Sequence, residues 1–102
     1  APSGSYEGMF SQNLKHGWGR FTAEYDIDRG IFPSTPLLEY EGEWKNDEPN
    51  GKVFAAVFYN AGLRRKEFFG GYCAAGRPHG MGRFTYADGS VYEGEFVNGE
   101  PQ

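Results

Sequence analysis

The residues of this chain with reactive or ligating potential are few, and each has a plain structural use. The run Gly76-Arg77-Pro78-His79-Gly80-Met81-Gly82 has the glycine content of a loop that cradles phosphate with backbone N–H groups. Such a loop requires Lys-Ser/Thr after it and a helix opening behind it, and neither follows. His16 and His79 each stand directly before a glycine, as Asn50 does before Gly51. A polar turn residue accounts for all three, whereas a metal site needs three or four clustered ligands. Glu7, Glu41, Glu43, Glu93 and Glu95 include pairs that acid–base hydrolysis could use, but their regular recurrence suits a solvated face. Cys73 is the single cysteine, with no histidine near it in sequence, and reads as a small packing residue. It excludes an intrachain disulfide and fits a reducing compartment. Arg64-Arg65-Lys66 is the one basic cluster. A phosphoinositide headgroup could sit there, but the net charge of −4 works against anionic membranes and against nucleic acid. The expectation is no catalytic residue, no metal and no cofactor.

What the sequence does contain is a repeat, and repeats dictate how the rest is read. Tyr92-Glu93-Gly94-Glu95-Phe96-Val97-Asn98-Gly99-Glu100-Pro101 has a near copy at Tyr40-Glu41-Gly42-Glu43-Trp44-Lys45-Asn46-Asp47-Glu48-Pro49. A third copy begins Tyr6-Glu7-Gly8-Met9-Phe10 and continues to Gly17-Trp18-Gly19-Arg20-Phe21. A more altered one runs from Phe69-Gly70-Gly71-Tyr72-Cys73 to Gly80-Met81-Gly82-Arg83-Phe84. The shared pattern is aromatic-x-Gly-x-aromatic, a turn, then Gly-x-Gly-x-Phe. The second copy departs from it, with Val53 in place of a glycine and Ala55 in place of the phenylalanine. In the altered copy opening at Phe69, Cys73 takes the second aromatic position. The alternative register Phe68-x-Gly70-x-Tyr72 keeps that aromatic but breaks the later glycine spacing, and the sequence leaves both open.

This pattern resembles the MORN family of roughly 23-residue repeats, whose signature begins Tyr-x-Gly-x-Trp. The resemblance covers nearly all of the chain outside the first few residues and two insertions, with units opening near Tyr6, Tyr40, Phe69 and Tyr92 and the last one short. It implies a non-catalytic module. In that family such arrays adjoin kinase, methyltransferase or exchange-factor domains, or form scaffolds of cytoskeletal and membrane-contact assemblies, and both protein and lipid binding have been suggested.

The elements follow from the residues themselves. At 102 residues the chain is at most one domain. Its 18% aromatic content is unlike disorder, and no window holds apolar residues at helical spacing. Residues 1–5 read as a flexible lead-in, and 6–102 as a repeat domain. About seven strands are expected: an all-β, single-layer antiparallel meander of stacked hairpins, roughly 30–35 Å along the stacking direction at the usual strand spacing. Turns are expected at 12–16, 46–50, 60–62 and 76–79, with an Asp-Gly connection at 87–90. The segment 26–36 is a loop whose Ile27, Ile31 and Phe32 should fold back over the sheet. The start without Met and the stop midway through a unit are what a piece of a longer protein would show. No apolar run approaches a membrane span, which with Cys73 suggests a cytoplasmic protein, cytoskeleton- or membrane-associated at most.

Side chains two apart share a strand face. Tyr40, Gly42 and Trp44 therefore project together, as do Gly80, Gly82 and Phe84, and the glycines read as beds for flat rings. The expected partner-binding row is Tyr6, Phe10, Phe21, Tyr40, Trp44, Phe69, Phe84, Tyr92 and Phe96. In a single layer this row should be partly open, forming a groove for another protein or a peptide. The leading expectation is a protein-interaction or scaffold module. The alternatives are phospholipid binding through Arg64, Arg65 and Lys66, and an accessory part of an enzyme. A homodimer is expected through the last strand edge or face to face through the rings.

Overall fold

Alternation of large and small side chains makes these segments strands, and short left-handed turns order them. The computed structural model describes residues 4–32 and 36–102. Eight antiparallel strands form one open sheet in chain order: β1 Gly4–Ser11, β2 Leu14–Ala23, β3 Leu37–Lys45, β4 Glu48–Asn60, β5 Arg65–Ala74, β6 Arg77–Thr85, β7 Val91–Val97 and β8 Glu100–Pro101. The count exceeds the expected seven because Glu100 and Pro101 pair with Val97 and Phe96. Gly4 and Ser5, expected in the lead-in, already pair with Ala23 and Thr22; the rest of that segment lies outside the described residues. The sheet measures 40 × 37 × 17 Å, and its thin dimension suits one layer.

Four hairpins close on two-residue turns with both φ angles positive, at Gln12-Asn13, Asn46-Asp47, Ala75-Gly76 and Asn98-Gly99. Such turns match the right-handed strand twist. They are tighter than the four- and five-residue turns expected from sequence, so Lys15-His16, Pro49-Asn50 and Pro78-His79 belong to strands. The turns are also stitched along one side of the sheet. Lys15 and Asp47 are joined by two bonds, Asp47 N to Lys15 O (3.0 Å) and Lys15 N to Asp47 Oδ1 (2.7 Å). Gly76 N donates to Pro49 O (2.9 Å) and Gly99 N to Pro78 O (2.8 Å). On the opposite side, Asp88 Oδ1 accepts from Ser90 N and Oγ at 2.9 and 2.6 Å and so shapes the β6–β7 turn. These bonds to the charged form hold its carboxyl below the usual range.

The link between β2 and β3 contains a 3-10 turn, Ile27–Arg29, inside an Asp26–Ile31 bridge. Phe32 reaches Tyr59 at 6.2 Å between centroids, while Ile31 and Phe32 stay about half exposed. The described part of the link therefore leans on the end of β4 and does not roof the sheet. Residues 33–35 of the expected loop lie outside the described residues.

One strand, β4, departs from strict repetition, and β5 keeps to it where the sequence left two registers open. On β4, Val53 faces Gly71 and Ala56 faces Phe69, with a bulge between. Phe54 is turned out by that bulge, and Ala56 rather than Ala55 points inward where other units carry phenylalanine. On β5, Phe69 faces Phe84 and Gly71 faces Gly82. That settles the altered repeat: Phe69, Gly71 and Cys73 share the inner face, and Phe68 and Tyr72 point outward, each about half exposed.

Candidate functional site

The inner face is built from one device used three times. Tyr6, Tyr40 and Tyr92 lie across the glycine two residues on, and each hydroxyl donates to the carbonyl three residues on. The bonds run Tyr6 Oη to Met9 O (2.8 Å), Tyr40 Oη to Glu43 O (2.7 Å) and Tyr92 Oη to Glu95 O (2.9 Å). A methyl group placed at Gly8, Gly42 or Gly94 would meet those hydroxyls at 2.8, 2.9 and 2.8 Å. Under Phe69 the bed is Gly82, where such a group would lie 2.6 Å from the ring. The ring-on-glycine arrangement expected from the spacing is therefore present. The tyrosine hydroxyl adds a lock the sequence reading missed, and its signal was tyrosine rather than phenylalanine at three of four opening positions.

Trp44 joins the first two units. Its Nε1 donates to Gly19 O at 3.0 Å, and it meets Tyr6 and Tyr40 edge-on at 5.3 and 5.0 Å. Lys15 Nζ hangs over the Tyr6 and Trp44 rings at 5.4 and 5.8 Å. Phe96 plays the same part at the other end, edge-on to Phe69 and Tyr92 at 5.4 and 5.2 Å. Edge-to-face pairs of this kind each add roughly 0.5–1.5 kcal/mol beyond area burial.

Of the nine rings expected to line an open groove, five are buried: Phe21, Tyr40, Trp44, Phe69 and Phe96. Tyr6, Phe84 and Tyr92 are partly buried against them, and Phe10 is 61% exposed at the β1 end. The rings cover one another because the glycine beds let them lie low. Most of the row is thus a core, accessible through its edges and one gap.

That gap lies where two units omit an aromatic. Ala56 stands between Tyr40 and Phe69, the place Phe21 and Phe84 fill elsewhere, and Cys73 replaces the ring after Gly71. The result is an apolar pit of ≈ 90 Å³. Val53, Ala56 and Cys73 are buried in it, Tyr40 and Phe69 wall it, and the partly exposed Leu37, Pro49, Phe58 and Pro78 rim it. Tyr40 Oη sits 3.7 Å from Cys73 Sγ. Burial pushes the Tyr40 hydroxyl up, with the neighbouring thiol adding to the effect. Burial likewise pushes the Cys73 thiol up. Both groups are neutral at pH 7, and a neutral buried thiol is a poor nucleophile.

Arg64, Arg65 and Lys66 line an open cleft of ≈ 540 Å³ beside Tyr25, Tyr59 and the 3-10 turn. Asp26 and Asp28 line the same cleft, so its field is mixed. His16 and His79 lie on separate hairpins, and His79 Nδ1 accepts from Asn98 N at 3.3 Å. Among the described residues no three His, Cys, Asp or Glu side chains cluster as a metal ion would need. Among them, too, no helix is long and apolar enough to cross a membrane.

A sheet of stacked hairpins, each laying a tyrosine or phenylalanine on glycines, defines a β-repeat module. The MORN repeat family model matches residues 6–23, 40–52, 74–91 and 92–102, together more than half of the chain. The chain belongs to the MORN repeat family. Repeats of this family generally form non-catalytic modules that often bind proteins or membranes.

Proposed function

We propose that this domain is a protein-interaction module. It would take a peptide segment along the inner face, with one apolar side chain seated in the pit beside Cys73. The observation behind this is the pit itself: an apolar, unfilled site of ≈ 90 Å³ on a face otherwise closed by rings. Small apolar pockets with firm walls are where partner anchors bind. Here Tyr40 is fixed by its hydroxyl bond, and Phe69 by its glycine bed and Phe96. The buried, neutral thiol makes the site apolar rather than reactive, and a reduced cysteine fits a cytoplasmic setting. The test is selection from a displayed random peptide library, followed by titration of the best binders. Peptides carrying one large apolar anchor are expected, with affinity lost in Cys73→Phe. A library that yields no binders, or binders indifferent to Cys73→Phe, would remove the reading.

Phospholipid binding at Arg64, Arg65 and Lys66 is the second reading, favoured by the clustering of three cations on one cleft. Asp26 and Asp28 in that cleft and the net charge of −4 oppose it. Vesicle sedimentation at physiological salt should show weak retention that reversal of all three charges abolishes. Tight, salt-resistant retention would reverse the ranking. The burial of Trp44, Phe69 and Phe96 also disfavours a homodimer formed ring face to ring face.

A further inference from the structure

One row of the outer face carries a charge pattern that matches its own inverse. Reading across the sheet at one level, Glu7 faces Arg20, Arg20 faces Glu41, and Glu41 faces Ala55. After the β4 bulge the row continues with Gly70 facing Arg83 and Arg83 facing Glu93. The order is therefore acid, base, acid, a neutral gap at Ala55 and Gly70, then base, acid. Flanking the gap are the outward Phe54, 67% exposed, and Phe68 and Tyr72, each 49% exposed. A hollow of ≈ 260 Å³ beside Gly70 is lined by Phe54, Phe68 and Arg83, among others.

We propose that this face pairs with a second copy of the same chain about a two-fold axis running through the β4–β5 seam. Rotation about that axis exchanges β4 with β5, β3 with β6 and β2 with β7. Glu41 of one copy then lies opposite Arg83 of the other, and Arg20 opposite Glu93. Each contact occurs twice, as a two-fold interface requires. The aromatic patch falls on the axis, where Phe54 of each copy can enter the hollow beside Gly70 of the other. An apolar centre inside a ring of opposed charges is the anatomy of a specific interface, and the charges set its register and orientation. The charge order favours this occupant because the row is complementary to its own reversal about the β4–β5 seam, and the exposed apolar residues fall on that same seam. This surface lies on the opposite side of the sheet from the pit, so it operates whether or not the pit binds a peptide.

Sedimentation equilibrium from about 1 to 300 µM, with far-ultraviolet circular dichroism to verify folding, provides the test. The wild-type chain is expected to dimerise and to dissociate at raised salt, since opposed charges are screened. Glu41→Arg alone turns both contacts with Arg83 into pairs of like positive charge. Arg83→Glu alone turns both contacts with Glu41 into pairs of like negative charge. Each variant should be monomeric over the range. Mixed in equal amounts, the two should recover a heterodimer, because the contacts that join one variant to the other again oppose unlike charges. Phe54→Asp should abolish association in all combinations. A wild-type monomer at about 300 µM, a dimer that survives Phe54→Asp, or a mixture that stays monomeric would each overturn the proposal, because association in this range is what a specific interface of modest size delivers.

Discussion

Cys73→Phe tests the packing argument and the functional one together. The other three units place Phe10, Trp44 and Phe96 at this position, and here a thiol borders a pit of ≈ 90 Å³. Empty apolar volume costs about 24 cal/mol per Å³, so complete filling has a ceiling of about 2 kcal/mol. Because the pit opens at its rim, roughly half of that is the expected gain. The substitution strands no polar group, since the Tyr40 hydroxyl keeps its 2.7 Å bond to Glu43 O. A gain of about 1 kcal/mol should raise the melting temperature by about 4–8 °C in a domain of this size. In urea it should move the midpoint without altering the slope. The opposing term is overpacking, typically about 1–3 kcal/mol where no room exists. A loss of more than about 1 kcal/mol would therefore refute the pit. Tyr72→Ala is the control: outward and half exposed, it should cost well under the roughly 3–5 kcal/mol of a buried aromatic. If Tyr72 were the inward ring instead, that ranking would invert. The stabilised Cys73→Phe variant should also lose peptide binding, a trade of function for stability.

Gly82→Val should destabilise by about 1–3 kcal/mol through collision with the Phe69 ring, against about 0.5 or less for the exposed Glu95→Ala, with chemical denaturation ranking the two. Trp44→Phe removes the 3.0 Å bond to Gly19 O at a buried site and should cost about 1–3 kcal/mol. Ala75 holds a left-handed φ of 51° in its turn, so Ala75→Gly should gain about 1 kcal/mol in the same assay. Alkaline pH should destabilise the fold. Cys73 and Tyr40 have raised pKa values in the folded state, so their contribution is intact below the ordinary values of 9.0 and 10.0 and is lost as pH rises above them. Stability measured from about pH 7 to 11 should fall first above about pH 9, and Cys73→Phe should delay that onset toward the tyrosine value.

The meander and the ring-on-glycine face were legible because they rest on a period of two and on glycine's missing side chain. Gly82 is readable from its spacing as a bed for a ring, and the strand pairing identifies that ring as Phe69. The β4 bulge was not legible. Val53-Phe54-Ala55-Ala56-Val57 contains no glycine or proline to mark an irregularity, and any register of it is locally acceptable. Only the fixed neighbours decide: Gly42 and Gly71 both face Val53, and Tyr40 and Phe69 both face Ala56, which leaves Phe54 with no inward position. The same neighbours settle the register of β5. The openness of the groove was overstated because ring burial depends on how low each ring sits on its glycine, a matter of depth that a strand pattern does not carry.

Both candidate surfaces arise from that one irregular hairpin. A unit that repeats faithfully closes its inner face with rings and its outer face with alternating charge, as β2–β3 and β6–β7 do, and offers a partner little to grip. On β4–β5 the inner face lacks two rings, at Ala56 and Cys73, and the outer face lacks two charges, at Ala55 and Gly70. The bulge supplies Phe54 to the exposed side. Faithful units on either side keep the defect rigid: the 2.7 Å Tyr40 bond and the Trp44 contact fix one wall, and the Gly82 bed and Phe96 fix the other. Regular repeats here act as the frame, and recognition is placed where the repeat fails.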